Sequence, residues 1–154
     1  MAVFPVLANA QALSGKQFEI FWSDNLGFQL LRQDYRLTAD SLVIAGLSDD
    51  GKSTVNYLNR KLSRKERKIV RKFVNDYRFD LLDTVYYKDF ANLGYISYDH
   101  YPRVIKFNYR SAFYTRSCSI TNCYVDKAGD FIIFLNQLLP PEVRISYKKE
   151  NFKE

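Results

Sequence analysis

The chain has few of the residues from which metal and catalytic sites are built. Its 154 residues include two cysteines and a single histidine, His100. Cys118 and Cys123 are too close in sequence to hold zinc without histidine ligands, and one histidine is not enough to complete the set. The sequence therefore predicts no metal site and no cofactor.

His100 is the one histidine that could act as a general base, and it lies between Asp99 and Tyr101. A base of this kind needs a reacting group within reach, yet no serine or cysteine has a recognisable nucleophile setting. The alternative is a residue of a surface turn just before Pro102. The lack of a catalytic set favours a protein that is not an enzyme.

The sequence also lacks long hydrophobic runs and low-complexity linkers. No stretch approaches the roughly 20 apolar residues that span a bilayer. A length of 154 residues suits one domain that buries a core without disulfides or metals. We expect a single domain over residues 13–148 and a flexible charged tail over residues 149–154.

The N-terminal segment, residues 1–12, has neither a positive region nor a long apolar stretch, although it has two small-x-small triplets, ANA and AQA. Signal peptidase prefers such triplets, but a full export signal has all three features. Two interpretations follow: the remnant of an export signal, or an ordinary first strand. We favour export to the periplasm, the outer membrane surface or the medium, with a cytoplasmic protein as the alternative.

Alternating apolar and polar residues are abundant, and many of the apolar ones are aromatic, with 12 tyrosines and 12 phenylalanines in the chain. Alternation and flanking turn residues predict several short strands. Ile105, Phe107 and Tyr109 share one face of the clearest of them, which predicts that they lie in the core. The strands are expected over residues 17–23, 27–33, 41–47, 52–58, 103–110, 115–121 and 144–147.

Two segments have helical periodicity. Residues 63–77 begin with a capping box formed by Ser63 and Glu66, and apolar residues then repeat at helical spacing. Residues 127–139 follow Asp126, a candidate N-cap, and end at a proline pair. The order of elements and the hairpin-length connections favour an α+β protein, in which two main helices pack on one face of an antiparallel sheet.

One run holds the basic character of the chain. Residues 60–72 contain eight of the 23 lysines and arginines and one of the 17 acidic residues, so the rest carries a net charge of −1. Such a run can bind nucleic-acid phosphates or an anionic membrane surface, but it is also typical of the solvated face of an amphipathic helix. We favour the solvated face and keep nucleic-acid binding as the alternative function. The basic residues are Arg60, Lys61, Arg64, Lys65, Arg67, Lys68, Arg71 and Lys72.

A third candidate function, nucleotide binding, comes from the segment GLSDDGKS, which runs from Gly46 to Ser53. Its spacing matches a phosphate loop, in which backbone N–H groups and a lysine bind phosphate. Two aspartates would lie in the anion site, however, and the residues that follow favour a strand rather than a helix. A hairpin turn that uses Asp50 and Gly51 is the favoured interpretation.

Cys118 and Cys123 could form a disulfide if the protein is exported. In a regular strand over residues 115–121 the two side chains would point to opposite faces and lie too far apart. A bridge therefore requires a turn at residues 120–122. The alternative is a small, buried Cys118 that is not bridged to Cys123.

Residues 86–114 contain ten aromatic side chains within 29 residues. Tyrosine provides a large, rigid contact area at low entropic cost, which suits a protein interface. We expect Tyr95, Tyr98 and Tyr101, together with the solvent face of the sheet, to form a protein-contact surface.

Four soft packing patterns lie within residues 60–147: LSRKE at a helix start, a strand pair closed by Asn122, the segment FLNQLLP, and ISY near the end. In these patterns the chain resembles a group of small, uncharacterised exported bacterial proteins with a β-lactamase-inhibitor-like helix-on-sheet layout. The resemblance implies export and a binding role without catalytic residues. The favoured function is therefore a non-enzymatic exported interaction protein, such as an accessory subunit of a cell-envelope complex.

Overall fold

The computed structural model describes residues 17–25, 32–47, 52–87 and 103–152. Within these residues the chain forms seven strands and two α-helices. The strands are β1 (Phe18–Asn25), β2 (Arg32–Thr38), β3 (Ser41–Leu47), β4 (Thr54–Lys61), β5 (Val85–Tyr87), β6 (Val104–Ser111) and β7 (Thr115–Thr121). The helices are α1 (Arg64–Asp76) and α2 (Asp126–Asn136).

All seven strands belong to one sheet, in the order β4-β3-β2-β1-β6-β7-β5. Five of its strand pairs are antiparallel, and β5 runs parallel to β7. The α+β class is therefore confirmed, whereas the prediction of a purely antiparallel sheet is wrong at this edge. The parallel pair arises because the chain leaves α1 through a 3-10 helix, Phe79–Leu81, and reaches the edge beside the start of β7.

The core lies against the sheet face that carries Trp22, which is fully buried. Phe131 of α2 lies with its ring centroid 4.7 Å from that of Phe107 and 6.1 Å from that of Trp22. Phe73 of α1 stacks on Phe134 of α2 at 3.9 Å. Each fully buried aromatic side chain contributes roughly 1.5–3 kcal/mol, so this aromatic cluster is a major source of stability.

Helix α1 begins where its sequence predicts. The side chain of Ser63 accepts a hydrogen bond from the N–H of Glu66, and the Glu66 carboxylate accepts one from the N–H of Ser63. These two bonds satisfy donors that have no partner inside the helix. Val70 is fully buried, which places the basic residues of the helix on its outer side.

The second strand differs most from the prediction. We expected it over residues 27–33, of which 27–31 lie outside the described residues, and β2 covers Arg32–Thr38. Tyr35 and Leu37 are buried at period two, while Arg36 between them is exposed. Only Tyr35 and Leu37 therefore provide the apolar alternation that predicts a strand, and the polar residues of β2 are typical of a loop.

Two local predictions near the second helix are wrong. Asp126 is the first helical residue, and the N-cap is Val125, whose side chain makes no capping bond. Residues 144–147 do not form a strand. Instead, the side-chain amide of Asn136 donates a hydrogen bond to the C=O of Ile145 and accepts one from its N–H, at 2.9 Å each. This side chain therefore provides the hydrogen-bond partners that a neighbouring strand would provide.

The expected flexible tail over residues 149–154 is folded in part. Lys149–Phe152 form a 3-10 helix, and the Phe152 ring packs against Tyr147 and Tyr124 with centroids 5.4 and 6.4 Å away. Through these contacts Phe152 packs, partly buried, against the core.

Candidate interaction surfaces

Arg60, the first residue of the basic run, is a structural residue. Its guanidinium donates two hydrogen bonds to the carboxylate of Glu66, at 2.8 and 3.0 Å, and one to the carbonyl of Leu138 at 2.8 Å. Three charge-assisted bonds occupy the guanidinium. Arg60 therefore connects β4 to the start of α1 and to the turn after α2. Its charge is paired inside the fold and is not available to bind a partner.

Glu66 is held in its ionised form by these contacts. The hydrogen bond from Arg60, followed by the backbone bond from Ser63, lowers the pKa of the Glu66 carboxyl from 4.5 to about 2. Hydrogen bonds that favour the charged form shift a carboxyl pKa in this direction. The carboxylate of Glu66, the single acidic residue of the run, thus bonds Arg60 and Ser63 within the fold.

Three basic residues in the second half of the run contact acidic neighbours. Arg67 and Arg71 lie 3.6 and 3.8 Å from the carboxylate of Asp40, at the turn between β2 and β3. Lys72 pairs with Asp76 one turn further along α1. These pairs are exposed and each contributes little to stability, but they reduce the local positive field.

Four basic residues remain at the passage from β4 into α1. Lys61, Arg64, Lys65 and Lys68 are exposed, and they have no ion pair in the described part of the chain. We call this group the basic junction. The structure thus leaves four of the eight basic residues of the run without an ion pair in its described part.

A second surface lies at the turn between β6 and β7. Phe113 is 80% exposed and the adjacent Tyr114 is 40% exposed, while Leu81, in a segment that also reaches β7, is 60% exposed. We call these three side chains, with Arg78 and Arg116, the hairpin-tip patch. Single exposed apolar residues are ordinary, but aromatic residues grouped with arginine have the composition of interface hot spots.

Stacked rings and hydrogen bonds hold the hairpin-tip patch in place. Phe79 stacks on Tyr109 at 4.2 Å, and the Tyr109 ring lies 5.1 Å from that of Tyr114. The Arg116 guanidinium donates to the backbone carbonyl of Asp80 at 2.6 Å, which ties the segment of Leu81 to β7. Tyr114 and the segment of Leu81 are therefore connected to the core and to β7.

Charged groups border the hairpin-tip patch. The Arg78 guanidinium donates two hydrogen bonds to the carboxylate of Asp80, and these bonds lower the pKa of Asp80 to about 2. Burial raises the pKa of the Tyr114 hydroxyl above its ordinary value. At neutral pH the surface thus has a neutral aromatic centre and an ionised rim, the usual anatomy of a protein interface.

The described residues also contain a buried ion pair near the other end of β1 and β6. The Arg103 guanidinium donates to both carboxylate oxygens of Asp24, at 2.9 and 2.6 Å, and the Asp24 side chain is only 7% exposed. The rings of Tyr147 and Phe152 lie 5.6 and 5.9 Å from the guanidinium carbon. We call this group the C-terminal clamp, because it joins the segment of Tyr147 and Phe152 to the sheet.

Tyr95, Tyr98 and Tyr101 of the predicted contact surface lie outside the described residues, and so does His100. Their roles stay predictions. Phe113 was not singled out from the sequence, although one signal was available. The connection between the two predicted strands is SAFY, and a hairpin tip with two aromatic residues is unusual where turn residues are commonly small and polar.

No disulfide joins Cys118 and Cys123. β7 remains regular through Thr121, and the turn begins only at Asn122, whose φ of 56° is left-handed. Cys118 is buried, and burial raises the pKa of its thiol to about 11. The possible bridge is therefore not formed, and Cys118 is a small core residue, as in the alternative interpretation.

The phosphate-loop motif is followed by strand β4, which pairs antiparallel with β3. A phosphate loop is followed by a helix whose N-terminus faces the phosphates, so this geometry supports the hairpin. Packing also accounts for Gly46, because a Cβ there would lie 2.7 Å from the ring of Tyr57. Residues 48–51 of the motif lie outside the described part of the chain.

Within the described ranges, no group of three or more histidine, cysteine, aspartate or glutamate residues is placed to hold a metal ion. No helix in the described part of the chain is long and apolar enough to cross a bilayer. Comparison with known proteins finds no matching family, no matching curated protein and no matching solved structure.

Proposed function

We propose that this protein is a non-enzymatic, exported interaction protein that acts as an accessory subunit of a cell-envelope complex, and that it docks through the hairpin-tip patch. The observation that carries the proposal is the exposed Phe113, with 80% of its surface open, next to Tyr114, whose ring lies 5.1 Å from that of Tyr109. A protein partner would remove these side chains from water, and burial of an aromatic residue at an interface centre is a common source of affinity.

The connection of the hairpin-tip patch to the core and to β7 supports this function. Tyr109 connects the tip to the core through its stack on Phe79, and Arg116 fixes the neighbouring segment through Asp80. A surface whose side chains are already ordered loses less entropy on binding. The partner would therefore meet a preformed surface.

The arrangement of the layers is also part of the proposal. We infer that α1 and α2 cover the same face of the sheet, because Phe131 contacts both Trp22 and Phe107 while Phe73 of α1 stacks on α2. The opposite face would then be available to the partner. It includes the exposed Lys106 and, on the edge strand β5, Tyr87, which is 65% exposed.

Export rests on the small-x-small triplets at the start of the chain and on the resemblance of residues 60–147 to exported bacterial proteins. Fractionation of the native host with an antibody to this protein tests it. We expect the protein in the envelope or the medium. Recovery in the cytoplasmic fraction alone would contradict export while leaving the hairpin-tip patch to be tested separately.

Photo-crosslinking in the native host tests the docking surface. With a benzophenone amino acid in place of Phe113, we expect one discrete adduct whose partner mass spectrometry identifies. The same amino acid at Ile133 is the matched control, since Ile133 is 63% exposed on α2. The adduct should disappear when Leu81→Asp is added. Equal adducts at both positions, or none at Phe113, would reject the surface.

The predicted tyrosine surface needs its own test. Tyr98→Ala and Tyr101→Ala should each weaken capture of the partner that crosslinks at Phe113. Unchanged capture would remove these tyrosines from the interface and leave the hairpin-tip patch as the docking surface.

A further inference from the structure

Next to the basic junction, α1 exposes one apolar side chain. Ile69 is 42% exposed on α1, although the apolar side chains on the inner side of this helix pack into the core. Ile69 lies four residues after Lys65 and three before Lys72, and residues at these spacings are neighbours on a helix surface. An exposed apolar side chain therefore lies at the edge of the basic face of α1.

The inner side of α1 is not available for binding. Val70 is fully buried, and Phe73 stacks on Phe134 at 3.9 Å. The helix therefore stays packed on the fold, and only its outer side can meet a partner. Contact would consist of cations from the basic junction and the single apolar side chain of Ile69.

We propose that the basic junction and Ile69 form a peripheral binding surface for a bilayer that carries anionic phospholipid headgroups. Lysine and arginine are attracted to such headgroups, and an apolar side chain between them can enter the boundary between headgroups and acyl chains. A nucleic-acid backbone would use the cations but offers no apolar phase for Ile69. The choice of a membrane also rests on the proposed export of the protein.

The expected strength follows from the number of cations. Each lysine or arginine near an anionic membrane raises the partition coefficient by a factor of about five. Four cations together give a factor of several hundred at low ionic strength, and salt screening reduces it. Binding should therefore be peripheral, reversible and strongly dependent on salt.

Vesicle sedimentation tests the proposal. The purified protein should bind vesicles of phosphatidylcholine that contain about a third phosphatidylglycerol, and it should not bind phosphatidylcholine alone. The variant Lys65→Gln/Lys68→Gln should bind about 25-fold more weakly, as two factors of five predict. Ile69→Ser should weaken binding with less change in its salt dependence.

The matched control is Lys148→Gln/Lys149→Gln, which lowers the net charge equally at a different exposed site. It should bind as the parent does if the attraction is local. An equal loss in both double variants, binding to neutral vesicles, or tighter binding to duplex DNA than to vesicles at the same salt would each overturn the proposal. Circular dichroism checks that each variant is folded.

This assay and the crosslinking assay fail independently. Vesicle binding uses purified protein and residues of α1, whereas crosslinking uses Phe113 and its neighbours. Loss of the Phe113 adduct with intact vesicle binding would reject only the docking surface. An intact adduct with no vesicle binding would reject only the membrane surface.

Discussion

At the scale of single residues, the contact between Arg60 and Glu66 shows which charges of the basic run stabilise the fold and are not available to bind a partner. The pKa of Glu66 is about 2 in the folded protein against an ordinary value of 4.5. The ionised carboxylate therefore stabilises the fold above about pH 4.5, and this stability is lost as the pH falls towards 2. The side chains of both residues keep a quarter or more of their surface exposed, so the effect is moderated by solvent.

We predict that Glu66→Gln lowers the free energy of unfolding by about 1 kcal/mol at pH 7. Glutamine retains an acceptor for the N–H of Ser63 and removes the charge that faces Arg60. Urea titrations at several pH values measure the difference, which should shrink below pH 4.5. Glu150→Gln is the control, because its side chain is 62% exposed and its partner Lys148 is 4.0 Å away. If the difference in the free energy of unfolding between Glu66→Gln and the parent were the same at every pH, the charge of Glu66 would not be the source of the stabilisation.

At the scale of elements, the two helices depend on each other through their aromatic faces. Phe73 stacks on Phe134 at 3.9 Å with the rings 2° from parallel. We predict that Phe73→Ala destabilises the protein by about 2–3 kcal/mol, less than for a fully buried phenylalanine because Phe73 is only partly buried. Chemical denaturation followed by circular dichroism gives the value.

Ile69→Ala on the same helix is the control for Phe73→Ala, and it should change stability by less than about 0.5 kcal/mol. A double-mutant cycle with Phe73→Leu and Phe134→Leu should show a coupling of about 0.5–1.5 kcal/mol. Additive effects in that cycle would mean that the stack itself contributes nothing beyond burial.

The elements also show which parts of the fold the sequence could predict. α1 has its capping box and β6 has regular alternation, so local signals agree with the tertiary structure in both. The strand β5 has three residues and pairs in parallel with β7, a partner that lies far along the chain. The direction of β5 depends on where α1 and the 3-10 helix place the start of the strand. A local sequence pattern cannot predict that position.

The candidate site was predictable only in part, for a related reason. The sequence located the basic run, but only tertiary contacts show that Arg60 bonds Glu66 while Lys65 and Lys68 have no ion pair with any residue that the structure describes. Likewise, Phe79 is fully buried and Leu81 two residues later is 60% exposed. Exposure depends on what packs over each residue, and that information is not local.

At the scale of the whole molecule, β1 joins two halves of the sheet. It pairs with β2 on one side and β6 on the other, and it carries Trp22, the single tryptophan of the chain, at the centre of the core. The C-terminal clamp fixes the end of this strand to a segment 79 residues away through Asp24 and Arg103. Trp22 fluorescence therefore reports on the unfolding of both halves.

We predict that Asp24→Asn lowers the free energy of unfolding by about 3–5 kcal/mol, because it leaves the Arg103 guanidinium, 17% exposed, without its carboxylate. Asp24→Asn/Arg103→Met should be less destabilised than the single variant, since no unpaired buried charge then remains. Glu19→Gln is the control, because it breaks an ion pair of the same strand with Arg36, which is 57% exposed, and should change stability by less than about 1 kcal/mol. Denaturation followed by Trp22 fluorescence measures all three. If Asp24→Asn were no worse than Glu19→Gln, the clamp would not hold the two halves together.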